Sequence, residues 1–307
     1  MRRKLRTLLL TLVAVVFLIF FALIALTASR PPPLTPLPNP NGYDDFVTAG
    51  AMLADDLPGW QELRDMGEAE LRTAFATPGL SKHREALALT KVGFGRTCQV
   101  PLDYSSTTGI HLGELAAFKR LAYAFIAQGK LAEMENRNAD AAESYLDAIR
   151  LGHEPARGGV IIDFMVGLTI EQQGLAYLAR LAPKLDTKCC REMALALDAI
   201  DLRSESPETM LQQEKEWARR TYGMSGQITR LLNYRMKRQS EQKLAGRMKA
   251  QQDQRRSLAV KLAARAYELE TGHLPKRLEQ LVPNYLRHVH PDLLGVKSLI
   301  QQSYGTN

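Results

Sequence analysis

A run of 23 uncharged residues, nearly all of them apolar, extends from position 7 to position 29. A helix rising about 1.5 Å per residue would cover roughly 34 Å over this run, enough to cross a hydrocarbon core about 30 Å thick. The run is longer than the apolar part of a signal peptide, and its best cleavage site, at 27–29, is poor. The pattern predicts an uncleaved transmembrane helix, a signal-anchor, over 7–29, with a cleaved signal peptide as the alternative.

Basic residues on either side of this run predict its orientation. Residues 1–6 contain four of them, and Arg30 follows the run. Because basic flanks stay preferentially on the cytoplasmic side, residues 1–6 are expected inside the cell and nearly all of the remaining chain outside. Residues 30–41 come next and are rich in proline, which fixes φ and removes a backbone donor. They predict an extended linker, in which the ten residues 31–40 form a stalk of roughly 30 Å at about 3.1 Å per residue.

From residue 42 to about residue 271 the apolar positions recur at helical spacing, and no segment alternates convincingly as a half-buried strand does. Prolines interrupt the pattern at intervals that suit helix hairpins. The sequence therefore predicts an all-α protein. Its parts are a helical extracytoplasmic domain over 42–256 and a C-terminal helix with a short irregular tail over 257–307.

Two adjacent segments, 112–136 and 139–151, predict a helix pair. Ala141, Tyr145 and Ala148 lie at i, i+4 and i+7 and form one apolar face of the second helix. This small–aromatic–small spacing before a turn resembles the second helix of a tetratricopeptide repeat. A solenoid needs about three repeats, and no second copy follows at the 34-residue period. The prediction is one TPR-like hairpin within a helical domain.

The next helix, predicted over 158–181, carries glycines near one face and a lone acid. A row of glycines costs helix stability and therefore indicates close approach of a neighbouring helix; its members are Gly159, Gly167 and Gly174. Asp163 interrupts the apolar run. If it is buried, it needs a partner, for which Arg157 is the candidate, or a raised pKa. A raised pKa would make it a functional candidate, and a structural ion pair or a helix cap is the alternative.

The stretch 211–265 is strongly basic, with fourteen basic and four acidic residues and a net charge of +10. Such a stretch predicts contact with anionic lipid or another polyanion. The alternative is a solvated helical arm, because 237–257 has too few apolar residues to hold a helix on a core. Those few are Leu244, Ala245, Met248 and Ala250. Pro207 predicts the start of a helix that runs to about Tyr222 and breaks at Gly223 or Gly226.

The net charge of +7 does not indicate nucleic-acid binding. Five of the 40 basic residues and none of the 33 acidic ones lie in residues 1–30, so the rest of the chain carries only +2. The extracytoplasmic location and the lack of interleaved aromatic residues also argue against a nucleic-acid partner.

No catalytic motif can be identified, and the sequence predicts no catalytic, cofactor-binding or metal residue and no cofactor. The histidines of HVHPD, His288 and His290, with Asp292, form a weak candidate for metal ligation. Carboxylates such as Glu114, Glu135 and Asp163 are candidates for hydrolysis only by residue type. Three cysteines leave two alternatives open: three buried thiols, or one bridge. The bridge would join Cys98 to Cys189 or to Cys190.

Two stretches carry a family resemblance: AAESYLDAIRLGHEPARGGVIIDFMVGLTIEQQGLAYL (141–178) and LAVKLAARAYELETGHLPKRLEQLVPNYL (258–286). Both resemble a family of uncharacterised, membrane-anchored helical proteins of bacteria. The second is also similar to an element of pseudopilin-like and secretion-associated proteins. The resemblance implies a single-pass protein of the bacterial cytoplasmic (inner) membrane with a periplasmic bulk, and it implies no activity. The tail departs from the family, because the Asp-Pro that usually follows is reversed at 291–292.

These observations favour a non-enzymatic protein-interaction or scaffolding module in the cell envelope. One alternative is a component of a secretion or pilus-like apparatus, which rests on the C-terminal element. The other is an envelope glycan or peptide hydrolase that uses carboxylates such as Asp163 or Glu114.

Overall fold

The computed structural model describes residues 10–22, 36–53, 62, 65–76, 80–104, 111–232 and 234–288. Over these residues every regular element is helical and no strand occurs, which confirms the predicted all-α class. The ten helices of this part of the chain are α1 (10–22), α2 (Gly42–Met52), α3 (Glu68–Ala76), α4 (Leu80–Phe94), α5 (Leu112–Met134), α6 (Asn138–His153), α7 (Ile161–Leu181), α8 (Thr187–Leu202), α9 (Pro207–Leu232) and α10 (Tyr234–Thr271). Short 3₁₀ turns follow α6, α7 and α10, over Glu154–Ala156, Ala182–Lys184 and Leu278–Leu281.

The helical domain begins where side chains hold the end of the proline-rich linker. Residues 36–40 have no regular secondary structure, and 30–35 lie outside the described residues. The Asn41 side chain accepts from the backbone N–H of Tyr43 and caps α2. Its amide also donates to the Gln99 carbonyl at 2.8 Å, and Gln99 N–H donates back at 3.0 Å. The start of α2 is therefore tied to the chain that follows α4.

Helices α5 and α6 form the predicted helix pair, and α6 packs against α5, α7 and α8. The face predicted from its spacing is fully enclosed, because Ala141, Tyr145 and Ala148 are each 0% exposed. The Tyr145 ring lies across Gly129 of α5, where a Cβ would come within 2.4 Å of the ring. A small residue opposite an aromatic one thus sets the spacing of this pair.

The glycine row of α7 makes the close approach that the sequence predicts. A Cβ on Gly167 would lie 2.2 Å from the carbonyl oxygen of Gly152 in α6. A Cβ on Gly174 would lie 2.6 Å from the Ile149 side chain in the same helix. Gly159 instead lies beside Asp163. Two of the three glycines therefore allow the backbones of α6 and α7 to pack directly together.

The basic stretch 211–265, which we call the basic arm, is more firmly held than its composition predicts. Gly223, with φ 55° and ψ −135°, breaks α9 as expected. The expectation of a purely solvated arm is wrong for 244–256, because Leu244 and Met248 are buried against Phe164 of α7 and Met210 of α9. These two residues are spaced i, i+4 on one face of α10, and Arg255, seven residues beyond Met248, is buried on the same face. A short apolar stripe, extended by the ion pairs of a buried arginine, is therefore enough to hold this part of α10 against the core.

The C-terminal part of α10 belongs to the same hydrophobic core as α2 and α4 to α8. Leu258, Leu262 and Ala266 are buried there, and α10 packs chiefly against α8. Gly272, with φ 78°, ends the helix, as glycine commonly does in this left-handed conformation. Leu278 of the following turn is buried as well.

Among the described residues, no helix has both the length and the apolar character needed to cross a membrane. Of the predicted segment 7–29, the structure describes 10–22 as α1, and the remainder lies outside the described residues. Residues 1–6 of the predicted cytoplasmic N-terminus and the tail from 289 onwards lie outside them as well.

Candidate functional site

Asp163 is buried, at 2% exposure, but its predicted partner is wrong. Its Oδ1 lies 2.7 Å from His111 Nε2, and its Oδ2 accepts from the backbone N–H of Val160 at 2.7 Å. Arg157 donates instead to Glu154 at 3.2 Å. The physical reason is that Asp163 is the third residue of α7, so its side chain turns back to cap the free N–H groups of that helix end. The structural alternative, a helix cap with an ion pair, is what the structure shows.

Glu114 lies close to the same place. Its Oε2 accepts from the Tyr43 hydroxyl at 2.6 Å, and the Tyr43 ring meets the His111 ring edge to face at 6.1 Å between centroids. Tyr43, His111, Glu114 and Asp163, which we call the His111 cluster, thus join α2, α5 and α7. Burial, together with Glu114, raises the pKa of Tyr43, so its hydroxyl stays protonated and donates. None of the four residues lines either of the cavities described below.

The His111 cluster predicts a pH-dependent stability. Burial lowers the pKa of His111, but the hydrogen bond and charge of Asp163, with the charge of Glu114, outweigh burial and raise it. Because the pKa of His111 is raised in the folded state, the protonated ring adds to the free energy of unfolding. This contribution is fully present below the pKa of the unfolded state, about 6.5, and is lost as pH rises through the pKa of the folded state. The unfolding free energy should therefore fall from pH 6 to pH 9 by more in the wild type than in His111→Gln.

Chemical denaturation at these two pH values measures the difference. His273→Gln is the matched control, because that ring is exposed and meets a carbonyl, that of Leu274, rather than a carboxylate. Equal pH dependence in wild type and His111→Gln would show that the His111–Asp163 pair does not titrate with folding.

A cleft of about 250 Å³ opens between α6 and α7 on one side and α9 and α10 on the other. We call it the arm cleft, because the docked arm forms one wall. Its lining combines apolar side chains with charged ones. It consists of Gly152, His153, Ala156, Arg157, Phe164, Leu168, Glu171, Ser204, Glu205, Pro207, Glu208, Met248, Lys249, Gln251, Gln252 and Arg255.

Arg255 lies in the wall of the arm cleft and is 3% exposed. Its guanidinium donates to Glu171 of α7, to Asp201 of α8 at 2.8 Å and to Ser204 at 2.6 Å. Burial raises the pKa of Asp201, but Arg255 and Arg256 outweigh burial and lower it. A single arginine therefore ties the arm to two core helices through buried carboxylates.

A second charged group, Glu154, follows the end of α6 and lies next in sequence to His153 of the cleft lining. Burial favours the neutral form of Glu154, but His153, Arg203 and Arg157 outweigh burial and lower its pKa to about 2. His153 in turn lies 3.2 Å from the Ser204 hydroxyl. Glu154 is therefore ionised at every physiological pH.

Several polar side chains that line the arm cleft have bonding capacity that the described residues do not use. Gln251 is 8% exposed, and its buried amide nitrogen has no hydrogen-bond partner within the described part of the chain. Glu205 accepts from Gly158 N–H through Oε1, but its buried Oε2 has no hydrogen-bond partner among the described residues. The same holds for Nδ1 of His153 and for Nε of Arg157 and Arg255. Lys249 is exposed and forms no ion pair with the described residues. Buried polar groups are nearly always bonded, so the unused amide nitrogen of Gln251 needs an explanation.

A second and larger groove, of about 530 Å³, lies between α7 and α10. Its apolar side includes Leu175, Pro183 and Leu258, and its polar side includes Lys261 and Arg265. No carboxylate lines it.

The remaining residues singled out in the sequence lie elsewhere. His288 Nδ1 is 3.7 Å from Asp198 of α8, while His290 and Asp292 lie outside the described residues. Within the described ranges no group of three or more His, Cys, Asp or Glu side chains is placed to hold a metal ion. Glu135 pairs with Arg137 and with Arg72.

All three cysteines are buried free thiols, so the alternative of a bridge from Cys98 is wrong. Burial raises the pKa of all three, to about 12 for Cys189 and about 11 for Cys190. Such thiols remain protonated at neutral pH and are poor nucleophiles.

Comparison with protein families, with curated proteins and with solved structures returns no match to this chain. The arm cleft, with Arg255, Glu171 and Gln251, is the site that the sequence did not reveal. One signal for it exists: Met248, Gln251 and Arg255 follow Leu244 at spacings of four, three and four, the face of one helix.

Proposed function

We propose that this chain is a single-pass, membrane-anchored helical protein that binds a partner in a bacterial cell envelope, without catalysing a reaction. The observation that carries the proposal is α1. Every residue of 10–22 is exposed, among them Leu10 at 67%, Leu18 at 70% and Phe21 at 63%. Transfer of apolar surface out of water is favourable by about 25 cal/mol per Å², so we expect lipid to cover an exposed helix of this composition.

The residues on either side of the apolar run 7–29 support the proposed orientation and the proposed distance between the bilayer and the helical domain. The basic residues among 1–6 favour a cytoplasmic N-terminus at the inner membrane, with the bulk of the chain on the periplasmic side. The proline-rich linker 30–41 would then hold the domain roughly 30 Å from the bilayer.

Partner binding is supported by the domain itself. The α5–α6 pair has the small–aromatic–small face of a TPR-like hairpin, a unit from which binding surfaces are often built. The arm also presents basic groups on one side of α10. Lys243, Arg247 and Lys261 are exposed and lie within about 40° of each other at 100° per residue. This face is suited to anionic lipid head groups or an acidic protein surface.

Membrane association gives the direct test. The full-length protein, expressed in a diderm bacterium, should stay in the membrane pellet after alkaline carbonate extraction. Leu18→Arg should move most of it to the supernatant, because arginine at the centre of a membrane helix costs about 2.5–3.5 kcal/mol. Leu37→Arg is the matched control, since Leu37 is an exposed leucine in the linker, and it should remain in the pellet.

The same membranes test the partner. A photo-crosslinking side chain at Lys243 should give a discrete adduct, whereas one at Lys188, exposed on α8, should not. Release of the wild type by carbonate would overturn the anchor. Identical adduct patterns at the two positions would overturn partner binding through the basic face.

A further inference from the structure

We infer that the arm cleft is a binding site for a short, free peptide of two or three residues with an aliphatic side chain. The inference goes beyond the proposed function, because the cleft would bind such a ligand wherever the domain is located. It rests on three polar groups of the cleft lining, those of Gln251, Glu205 and Lys249, and on the apolar side chains of the same lining.

The first observation is Gln251. Its amide nitrogen, Nε2, is buried without a hydrogen-bond partner among the described residues, which destabilises the fold because the N–H groups lost water and gained no acceptor. The nitrogen donates, so the complementary group is an acceptor, such as the carbonyl oxygen of a peptide bond. The cleft of about 250 Å³ beside it is large enough for several waters, at about 30 Å³ each, which a ligand would displace.

Two charges of opposite sign supply the second observation. Glu205 keeps a buried carboxylate oxygen that no described residue bonds to, and Lys249 keeps an exposed ammonium group. A free peptide carries an ammonium group at one end and a carboxylate at the other. Glu205 and Lys249 therefore suit the two termini, while Gln251 suits the bond between them.

The apolar wall supplies the third observation. Phe164, Leu168 and Met248 line the cleft next to these polar groups. They would cover an aliphatic side chain, and Met248 adapts easily to its shape. Arg255 and Glu171 contribute by position only, because their bonds to one another and to Asp201 fix this wall in place. Small ligand sites commonly combine an apolar lining with a few placed polar groups in this way.

Calorimetric titration of the detergent-solubilised full-length protein with the dipeptide Ala-Leu tests the inference. We expect a Kd of about 0.1–1 mM, in keeping with a ligand of this size. Gln251→Leu should weaken binding at least tenfold and at the same time raise the melting temperature, because it removes a buried amide nitrogen without a partner among the described residues. Gln254→Leu, an exposed glutamine on the same helix, should leave both unchanged.

The peptide's own groups can be tested in the same way. Acetylation of the peptide's ammonium group should weaken binding to the wild type but change binding to Glu205→Gln little. Amidation of the peptide's carboxylate should likewise weaken binding to the wild type but change binding to Lys249→Gln little. Free leucine should bind at least tenfold less tightly than Ala-Leu. Equal binding of leucine and Ala-Leu would overturn the role of the peptide bond.

Titration with Ala-Leu at 10 mM could give no heat while Gln251→Leu still raises the melting temperature. The polar groups of the cleft would then be a feature of the fold that does not bind a peptide. That result would overturn this inference and leave the proposed membrane-anchored function untouched, since carbonate extraction tests that function separately.

Discussion

Arg255→Ala should lower the free energy of unfolding by about 3–5 kcal/mol, because it leaves Glu171 buried without a cation and Asp201 with Arg256 alone. Glu171 is 3% exposed and Asp201 is 6% exposed, and Arg255 bonds to both. The arm should also loosen from α7, so that Met248 becomes accessible. Urea denaturation measures the first effect, and hydrogen exchange over 240–256 measures the second.

Arg247→Ala is the matched control for this experiment. Arg247 lies two turns earlier on α10 and is exposed, so its loss should change stability by less than about 0.5 kcal/mol. A loss below about 1 kcal/mol for Arg255→Ala would mean that solvent reaches the two carboxylates, and the arm would then not be held by a buried ion pair.

The second large effect is expected from Gly167→Ala. Its new Cβ would lie 2.2 Å from the Gly152 carbonyl, and that contact is with backbone and not with a flexible side chain. Helices α6 and α7 must then separate, which should cost about 3 kcal/mol through strain and lost packing. Thermal and urea unfolding of the purified protein both measure this loss.

Gly246→Ala supplies the opposite control. Gly246 also lies inside a helix, α10, but a Cβ there would meet nothing within 4 Å. Alanine should therefore raise stability by about 0.5–1 kcal/mol through helix propensity alone. A similar effect of the two substitutions would mean that α6 and α7 are not in direct backbone contact.

The helices that the sequence predicted well are those whose signals lie close together along the chain. Spacing predicted the α5–α6 pair to within two residues at each boundary, and Gly223 breaks α9 where expected. The glycine row predicted the close contact of α7, because glycine in a helix interior is costly unless a neighbour needs the space.

Pairing between side chains was predicted less well. Arg157 is near Asp163 in sequence, and His111 is 52 residues away, yet His111 is the partner. The composition of 237–257 predicted a solvated arm, whereas Leu244 and Met248 are buried against α7 and α9. In both cases the deciding contact comes from a distant helix, which local periodicity does not identify.

The sequence by itself determined the all-α class, the boundaries of the α5–α6 pair and the apolar face of α6, since these follow from backbone geometry and spacing within about four residues. It also contained the apolar run at 7–29 and the charges around it, on which the proposed membrane anchor rests. Only the tertiary structure placed Arg255 between Glu171 and Asp201 and left the amide nitrogen of Gln251 without a partner among the described residues beside a cleft. Those arrangements depend on which helix faces are brought together, and a pairing between residues 50 to 85 positions apart leaves no periodic signal along the chain.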